Sequence, residues 1–373
     1  MQRLQGAIRV VQAAVNATGT TGFAACRVAA VERDCEDSVT VTLLPPAGQT
    51  WTFAHGQHLV LRRNIDGTEI RRSYSLCSGA PDGPLKVAIR LVPGGAFSTW
   101  ANTELAAGDT IEAMPPGGRF THDLEPEAAK TYLLVAGGSG ITPISSIAET
   151  VLAAEPRATV TLLYVNKTTA STMLLDAVEG LRNKYMGRFQ LWYAFTREAS
   201  AIELLDGRPD AGRIVQMIER DLLPNNVDHA FLCGPQGLVD EVTSGLISAG
   251  VDASRIHHEL FTAGEGRLGR PAPQPVVAGA EPVAQAMITL HGKTTTVPVF
   301  EGDTVLEAAQ RQRPDVPYSC RAGVCSTCMA RLVEGEVTMD ICHGLEPSEV
   351  EAGNVLTCRS VPTTAVVRVD YDV

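Results

Sequence analysis

The sequence has no apolar run near the roughly 18 residues that a membrane-spanning helix needs, so no bilayer span is expected. Positive charge is short as well: 31 Lys and Arg face 42 Asp and Glu, for a net charge of −11. That balance argues against nucleic acid or an anionic membrane as partner and suits docking to a basic protein surface. A secreted disulfide framework is not expected, because nine cysteines are scattered through 373 residues. The opening stretch MQRLQGAIRVVQAAVNATG is broken by Gln, Arg and Asn and makes a poor signal peptide. Residues 1–23 are therefore expected to be an extension, and the cytoplasm is the expected compartment. No Ser–His–Asp or hydrolytic metal spacing is present, nor a 2-His-1-carboxylate set among the eight histidines, which argues against a stand-alone hydroxylase. Internal repeats are also missing.

What the chain does have is length for two or three cores. Residues 264–286, rich in Gly, Pro and Ala, predict a linker. Before it, two textures meet near residue 125. Residues 24–125 hold short β-rich runs (Val39–Leu44, His58–Leu61, Glu69–Ser75, Leu85–Leu91) split by Gly, Pro and Asp turns, which predict an antiparallel β-barrel. Residues 126–263 alternate instead, with strands expected at Tyr132–Ala136, Thr159–Val165, Phe189–Phe195 and Ala230–Cys233. Helices are expected from Pro143, near Ser171–Leu181, near Val215–Glu219 and at Leu238–Ala249, giving an α/β domain with a parallel sheet. Residues 287–373 predict a β-grasp unit: a hairpin of Met287–Leu290 and Thr295–Phe300, a helix around Thr304–Gln312 capped by Asp303, and later strands Ala330–Val333 and Ala365–Val369. Pro298 marks the second hairpin strand as an edge. This last unit has 7 Lys and Arg against 12 Asp and Glu, either an acidic docking face or a solvated surface.

The strongest chemical signal lies there. Cys320, Cys325 and Cys328 form a C-x4-C-x2-C run, and Cys358 follows after 29 intervening residues. This is the plant-type [2Fe–2S] ligand order, with a potential of roughly −400 mV for the class. Gly323 and the small residues Ala322, Ser326 and Thr327 allow a tight loop whose N–H groups face the cluster. A zinc site usually presents two CxxC-like pairs, and only one is present.

In AGGSGITP (Ala136–Pro143) a buried strand runs into glycines that allow close approach to a phosphate. Thr142 is the expected N-cap and Pro143 the first helical residue. The run departs from G-x-G-x-x-G, which disfavours a standard Rossmann dehydrogenase. Asn166 and Lys167 end the second strand where a NAD-selecting acid often sits, and Thr196 and Arg197 end the next. Such cations suit a 2′-phosphate and point to NADPH, with NADH still possible. Two further runs are RRSYSLCS (Arg71–Ser78), where alternation puts Arg72 and Tyr74 on one face, and GGAFSTW (Gly94–Trp100), a second glycine turn.

Together, R-x-Y-S (Arg72, Tyr74, Ser75), G-G-x-F-S (Gly94, Gly95, Phe97, Ser98), G-G-S-G-I-T-P and C-G-P (Cys233, Gly234, Pro235) resemble the ferredoxin–NADP reductase superfamily. With the C-terminal ferredoxin, the chain resembles oxygenase reductases ordered FAD, NAD(P), [2Fe–2S]. The resemblance implies that Arg72, Tyr74 and Ser75 hold the flavin, Ser98 and the Gly95 and Phe97 segment its pyrophosphate, and Val87 and Ile89 its ribityl region. It implies that Gly138, Ser139, Gly140 and Thr142, with Lys167 and Arg197, bind NADPH, Thr142 also lying near the flavin. The resemblance further implies that Cys233, Gly234 and Pro235 line the nicotinamide pocket and that Glu259 and Phe261 form a terminal element beside the flavin. Tyr74, Ser75, Thr142 and Cys233 are the residues expected at the reacting rings. GEVTMD (335–340) and LEPSEVEAGNVLTC (345–358) resemble the reductase subunits of phenylacetyl-CoA epoxidases. Reductases of steroid 9α-hydroxylases and other ring-hydroxylating systems share the domain order. The implied activity passes electrons from NADPH through FAD and [2Fe–2S] to a separate oxygenase. The reading from another class is an electron relay or redox sensor without NAD(P)H oxidation. Cys342 is expected to be no ligand.

Overall fold

The computed structural model describes residues 22–261 and 279–372. The expected N-terminal extension, up to residue 21, and the expected linker, up to residue 278, lie outside the described residues.

Six antiparallel strands form the first unit: β1 (Ala24–Cys35), β2 (Ser38–Leu44), β3 (His58–Ile65), β4 (Thr68–Ser75), β5 (Leu85–Arg90) and β6 (Thr110–Ala113). Their order is β4-β3-β6-β1-β2-β5, and a Leu76–Val87 bridge brings the two edges together into the expected barrel. The core is the inward set Val41, Leu59, Leu61, Val87, Ile89 and Phe97. Asp66 and Gly67, both at positive φ (50° and 78°), make a two-residue turn joining β3 to β4. That geometry matches the twist of the flanking strands and fixes their pairing. GGAFSTW holds more than the expected glycine turn: helix α1 (Ala96–Thr103) starts there, with Gly95 at its N-cap. Strand β1, whose sequence alternates poorly, and β6, only four residues long, were also not expected.

The second unit is a parallel sheet of β7 (Thr131–Gly137), β8 (Thr159–Asn166), β9 (Phe189–Phe195), β10 (His229–Gly234) and β11 (Ile256–Leu260), ordered β11-β10-β7-β8-β9. Helices α2 (Ile141–Ala154), α3 (Leu175–Lys184), α4 (Ala211–Glu219) and α5 (Gln236–Ser248) cover its faces. Helix α2 is buried along most of its length. Thr142 is not its N-cap: Gly140 is, and the Thr142 hydroxyl donates instead to Ser139 O at 3.1 Å. Helix α3 starts later than Ser171 because Leu174 is left-handed (φ 52°) and a short 3-10 turn occupies Thr169–Ser171.

The third unit has β12 (Ala284–Leu290), β13 (Lys293–Val299), β14 (Met329–Glu334), β16 (Asn354–Leu356) and β18 (Val366–Asp370) in the mixed order β13-β12-β18-β14-β16. A small ribbon of β15 (Val337–Met339) and β17 (Ser360–Pro362) stands beside it. Helix α6 (Val305–Gln310) packs on the sheet, and α7 (Pro347–Glu351) is a single turn. Pro298 does lie on an edge strand, β13. The cap of α6 is Thr304, in a capping box with Glu307. Asp303 instead makes a two-pronged ion pair with Arg311 at 2.6 and 2.7 Å.

Candidate electron-transfer site

The parallel sheet has its topological switch between β7 and β10, where successive crossovers leave in opposite directions and a crevice opens at the carboxyl ends. Both glycine runs lie there. A Cβ on Gly140 would sit 2.1 Å from Cys233 O, and one on Gly234 would sit 3.0 Å from Gly137 Cα. The two turns are in backbone contact, so Gly138–Thr142 and Cys233–Pro235 share one crevice. Burial pushes the Cys233 thiol well up, and Glu259, its partner in the β10–β11 register, adds to that. Lys167 and Arg197 stand exposed at the ends of β8 and β9, joined through the Arg197 N–H to Lys167 O at 2.9 Å. Phe261, 38% exposed, follows the end of β11.

On β4 the alternation divides the motif. Leu59 and Leu61 pair with Tyr74 and Arg72, while His58, Val60 and Arg62 pair with Ser75, Ser73 and Arg71. Tyr74 lies 5.6 Å from the Phe97 ring, and burial pushes its phenol up. The exposed Arg72 guanidinium donates to Arg71 O at 2.8 Å. Ser75 is buried and on the opposite face. Phe97, Val87 and Ile89 have their side chains in the barrel core and are buried as whole residues. Ser98 Oγ accepts from Val92 N and donates to Gly95 O, both at 3.1 Å; a Cβ on Gly95 would come within 2.7 Å of it.

Three residues of the cysteine loop take left-handed backbone: Arg321 (φ 53°), Gly323 (φ 77°) and Ser326 (φ 54°). At Gly323 a side chain is excluded, because a Cβ would lie 2.7 Å from Ile341 O. The four thiols lie near enough to shift one another. The neighbouring Cys325 draws the Cys320 thiol down, while Cys320 and burial push the Cys325 thiol up. The neighbouring Cys328, with burial, pushes the Cys358 thiol up. No group of three or more ligands converges on one ion among the described residues. The four cysteines, in the plant-type ligand order, are the residues that would hold a [2Fe–2S] cluster. Ala322 N donates to Cys320 Sγ at 3.3 Å, one of the amide contacts that such a cluster uses. All nine cysteines are free, and Cys342 packs at the margin of the third core.

The third unit is docked with this loop inward. Ala322, Val324 and Ile341 join the core between the parallel sheet and α4 and α5. Tyr318 lies under Arg71 at 3.9 Å, and Ser73 Oγ donates to Ser319 Oγ at 2.9 Å. Arg119 pairs with Glu349 and reaches Met329 Sδ at 3.1 Å. Between the three units lies a cleft of about 260 Å³ lined by Arg119, His257, Glu259, Cys325, His343 and Glu346 among others. Burial, with the neighbouring Cys325, lifts the Glu259 carboxyl to about 8. None of these docking residues stands out in the sequence; on β4 the doubled Arg71-Arg72 is the available signal, one arginine per face.

Residues 25–122 match the oxidoreductase FAD-binding domain family, 134–244 the oxidoreductase NAD-binding domain family and 288–363 the 2Fe-2S iron-sulfur cluster binding domain family. The chain is 36% identical to one component of the 1,2-phenylacetyl-CoA epoxidase of Escherichia coli, over 94% of this chain and 98% of that protein. It belongs to the reductase components of oxygenases. The 3-ketosteroid-9-alpha-monooxygenase reductase component of Rhodococcus rhodochrous is 30% identical over 92% of this chain and 95% of that protein. The solved phthalate dioxygenase reductase shares the fold, with a TM-score of 0.57 and 23% identity across 94% of this chain and 98% of that one. This reductase is thus an NAD(P)H oxidoreductase that uses FAD and a [2Fe–2S] cluster and serves an oxygenase partner. Among the described residues no helix is long and apolar enough to cross a membrane.

Proposed function

We propose that this reductase takes electrons from NADPH and delivers them to the oxygenase of a phenylacetyl-CoA epoxidase, in phenylacetate breakdown. The similarity along nearly the whole of the Escherichia coli epoxidase component carries this reading. Lys167 and Arg197, two exposed cations on adjacent strand ends, support NADPH through a 2′-phosphate. Nine free thiols support a cytoplasmic setting.

In this proposal Arg72, Tyr74, Ser75, Ser98 and the backbone of Val87, Ile89, Gly95 and Phe97 hold FAD. Gly138, Ser139, Gly140, Thr142, Cys233, Gly234 and Pro235 cradle the nicotinamide nucleotide, and Phe261 flanks the flavin. Cys320 with Cys325, and Cys328 with Cys358, ligate the irons. Bound FAD supplies the exchange between a two-electron donor and a one-electron acceptor. The residues themselves position rings and exclude water: the Gly140–Cys233 contact lets the dinucleotide backbone approach closely, and the buried Cys233 keeps a polar solvent out.

The test is a reconstituted epoxidase mixture with and without this chain, driven by NADPH or NADH. Epoxidation of phenylacetyl-CoA should require the chain and run with higher kcat/KM on NADPH. Epoxidation that survives its omission rejects the assignment. Preference for NADH, with support of steroid hydroxylation instead, favours the second reading, that of the Rhodococcus relative.

A further inference from the structure

The face of β3 and β4 away from the barrel core meets the ferredoxin unit at two places. Arg71 and Ser73 touch Tyr318 and Ser319, just before Cys320. The second contact is made by His58, which opens β3 as the cross-strand partner of Ser75. Its backbone is clamped in both directions to Gly117, with N–H···O distances of 2.7 and 3.0 Å. Its ring is buried, and Gly118 (φ 117°) leaves room for it, since a Cβ there would lie 2.8 Å from Nδ1. Nε2 lies 3.4 Å from the Thr327 hydroxyl.

Thr327 sits between Cys325 and Cys328. Its hydroxyl lies 3.4 Å from Cys325 O. Burial keeps the His58 ring neutral, pushed down to about 4. A neutral ring offers one donor and one acceptor, and a hydroxyl complements either. The imidazole therefore connects the strand that carries Ser75 to the segment between two cluster ligands, without placing a charge beside the cluster.

We propose that His58 is a positioning residue: through the Thr327 hydroxyl it holds the cluster loop against the flavin strand and so sets the rate of electron passage from flavin to cluster. The inference rests on the flavin and cluster sites given under the proposed function. The other contacts that this face of β3 and β4 makes, those of Arg71 and Ser73, meet the loop only ahead of Cys320.

The full chain loaded with FAD and cluster tests it, with T327V, T327S, H58L and the H58L/T327V double variant. Stopped-flow absorbance separates flavin bleaching by NADPH from the later bleaching of the cluster. T327V should slow the second step about fivefold, the worth of one neutral hydrogen bond, and leave the first at the wild-type rate. The EPR spectrum of its reduced cluster should shift, because Thr327 lies between two cluster ligands and its hydroxyl is 3.4 Å from Cys325 O. T327S should restore both rate and spectrum. H58L should slow the second step equally, and the double variant should be no slower than either single one. Wild-type rate and spectrum in T327V overturn the inference, as does additive loss in the double variant or equal slowing of both steps. If H58L does not fold, the T327V and T327S pair decides alone. A wild-type chain that shows no flavin bleaching by NADPH instead sinks the proposed function, a result distinct from all of these.

Discussion

The two joints of this molecule are built differently. Where the barrel meets the parallel sheet, Cys77, Ala88 and Phe120 enter the core around α2. Leu174 N donates to Asp34 at 3.0 Å, and Ala80 N to Thr150 Oγ1 at 2.9 Å. A chain of rings runs beneath: His55 bonds His122 at 3.0 Å, His122 bonds Tyr132 at 2.8 Å, and Tyr132 donates to the buried Glu155 at 2.8 Å. The ferredoxin joint has a small apolar patch, several polar contacts and an open cleft within it. The first joint is a continuous core, and separating it exposes apolar surface and unpaired buried polar groups together. The second is of the kind that opens and closes. A unit that must both receive an electron and pass it on is served by such a joint, because docking covers its cysteine loop.

Four changes probe that difference, from the largest effect to the smallest. Cys358→Ala should abolish cluster assembly, seen as loss of iron and of the EPR signal, while NADPH still bleaches the flavin. Loss of flavin binding as well would mean that the third unit is needed to build the first two. Gly140→Ala pushes a methyl into Cys233 O inside the permanent half, so it should cost about 3 kcal/mol in urea unfolding. Nucleotide affinity should fall at least about tenfold in the same variant.

Acid should act next. Burial holds the His55 and His58 rings at about 4 and, with neighbouring cations, His122 at about 2, all below the ordinary 6.5. The unfolded chain takes up these protons near pH 6.5 while the folded chain refuses them. Stability is therefore complete above pH 6.5 and is lost as pH falls toward 4, by up to about 3 kcal/mol for each of the first two rings. Urea midpoints measured from about pH 7 to about pH 5 should fall, and His55→Phe should flatten that fall. The smallest effect belongs to Arg119→Ala. It removes the pair between the exposed Arg119 and the partly buried Glu349, worth about 1 kcal/mol. The unfolding midpoint should hold, while cluster reduction becomes slower in the variant and loses part of its salt dependence.

How much of this was legible in the sequence depended on whether a segment's partners are local. Strand Phe189–Phe195 was expected at its observed limits, and the barrel runs and βα alternation appeared within a few residues. These are segments whose apolar pattern matches their period. Helix α1 reads as a turn because glycines precede it and only Phe97, Trp100 and Ala101 mark its buried face. Thr142 and Asp303 look like caps by residue type, but a 3-10 turn and an arginine partner claim them. The cysteine spacing anticipates a ligand set, yet the left-handed turns at Arg321, Gly323 and Ser326 that shape its loop need the fold. The docking of Thr327 on His58 joins residues 269 positions apart and leaves no local trace.

Asp66 and Gly67 carry a consequence of another kind. By closing a two-residue turn they set the phase of β4, and with it which of Arg71 or Arg72, Ser73 or Tyr74, faces which neighbour. Side chains alternate with a period of two, so losing or gaining one residue in that turn would invert the whole strand. Substitutions there should be tolerated one at a time, whereas a single-residue deletion should exchange the two surfaces at once. Lineages of this reductase should therefore vary the turn in residue type, and in length only by even steps.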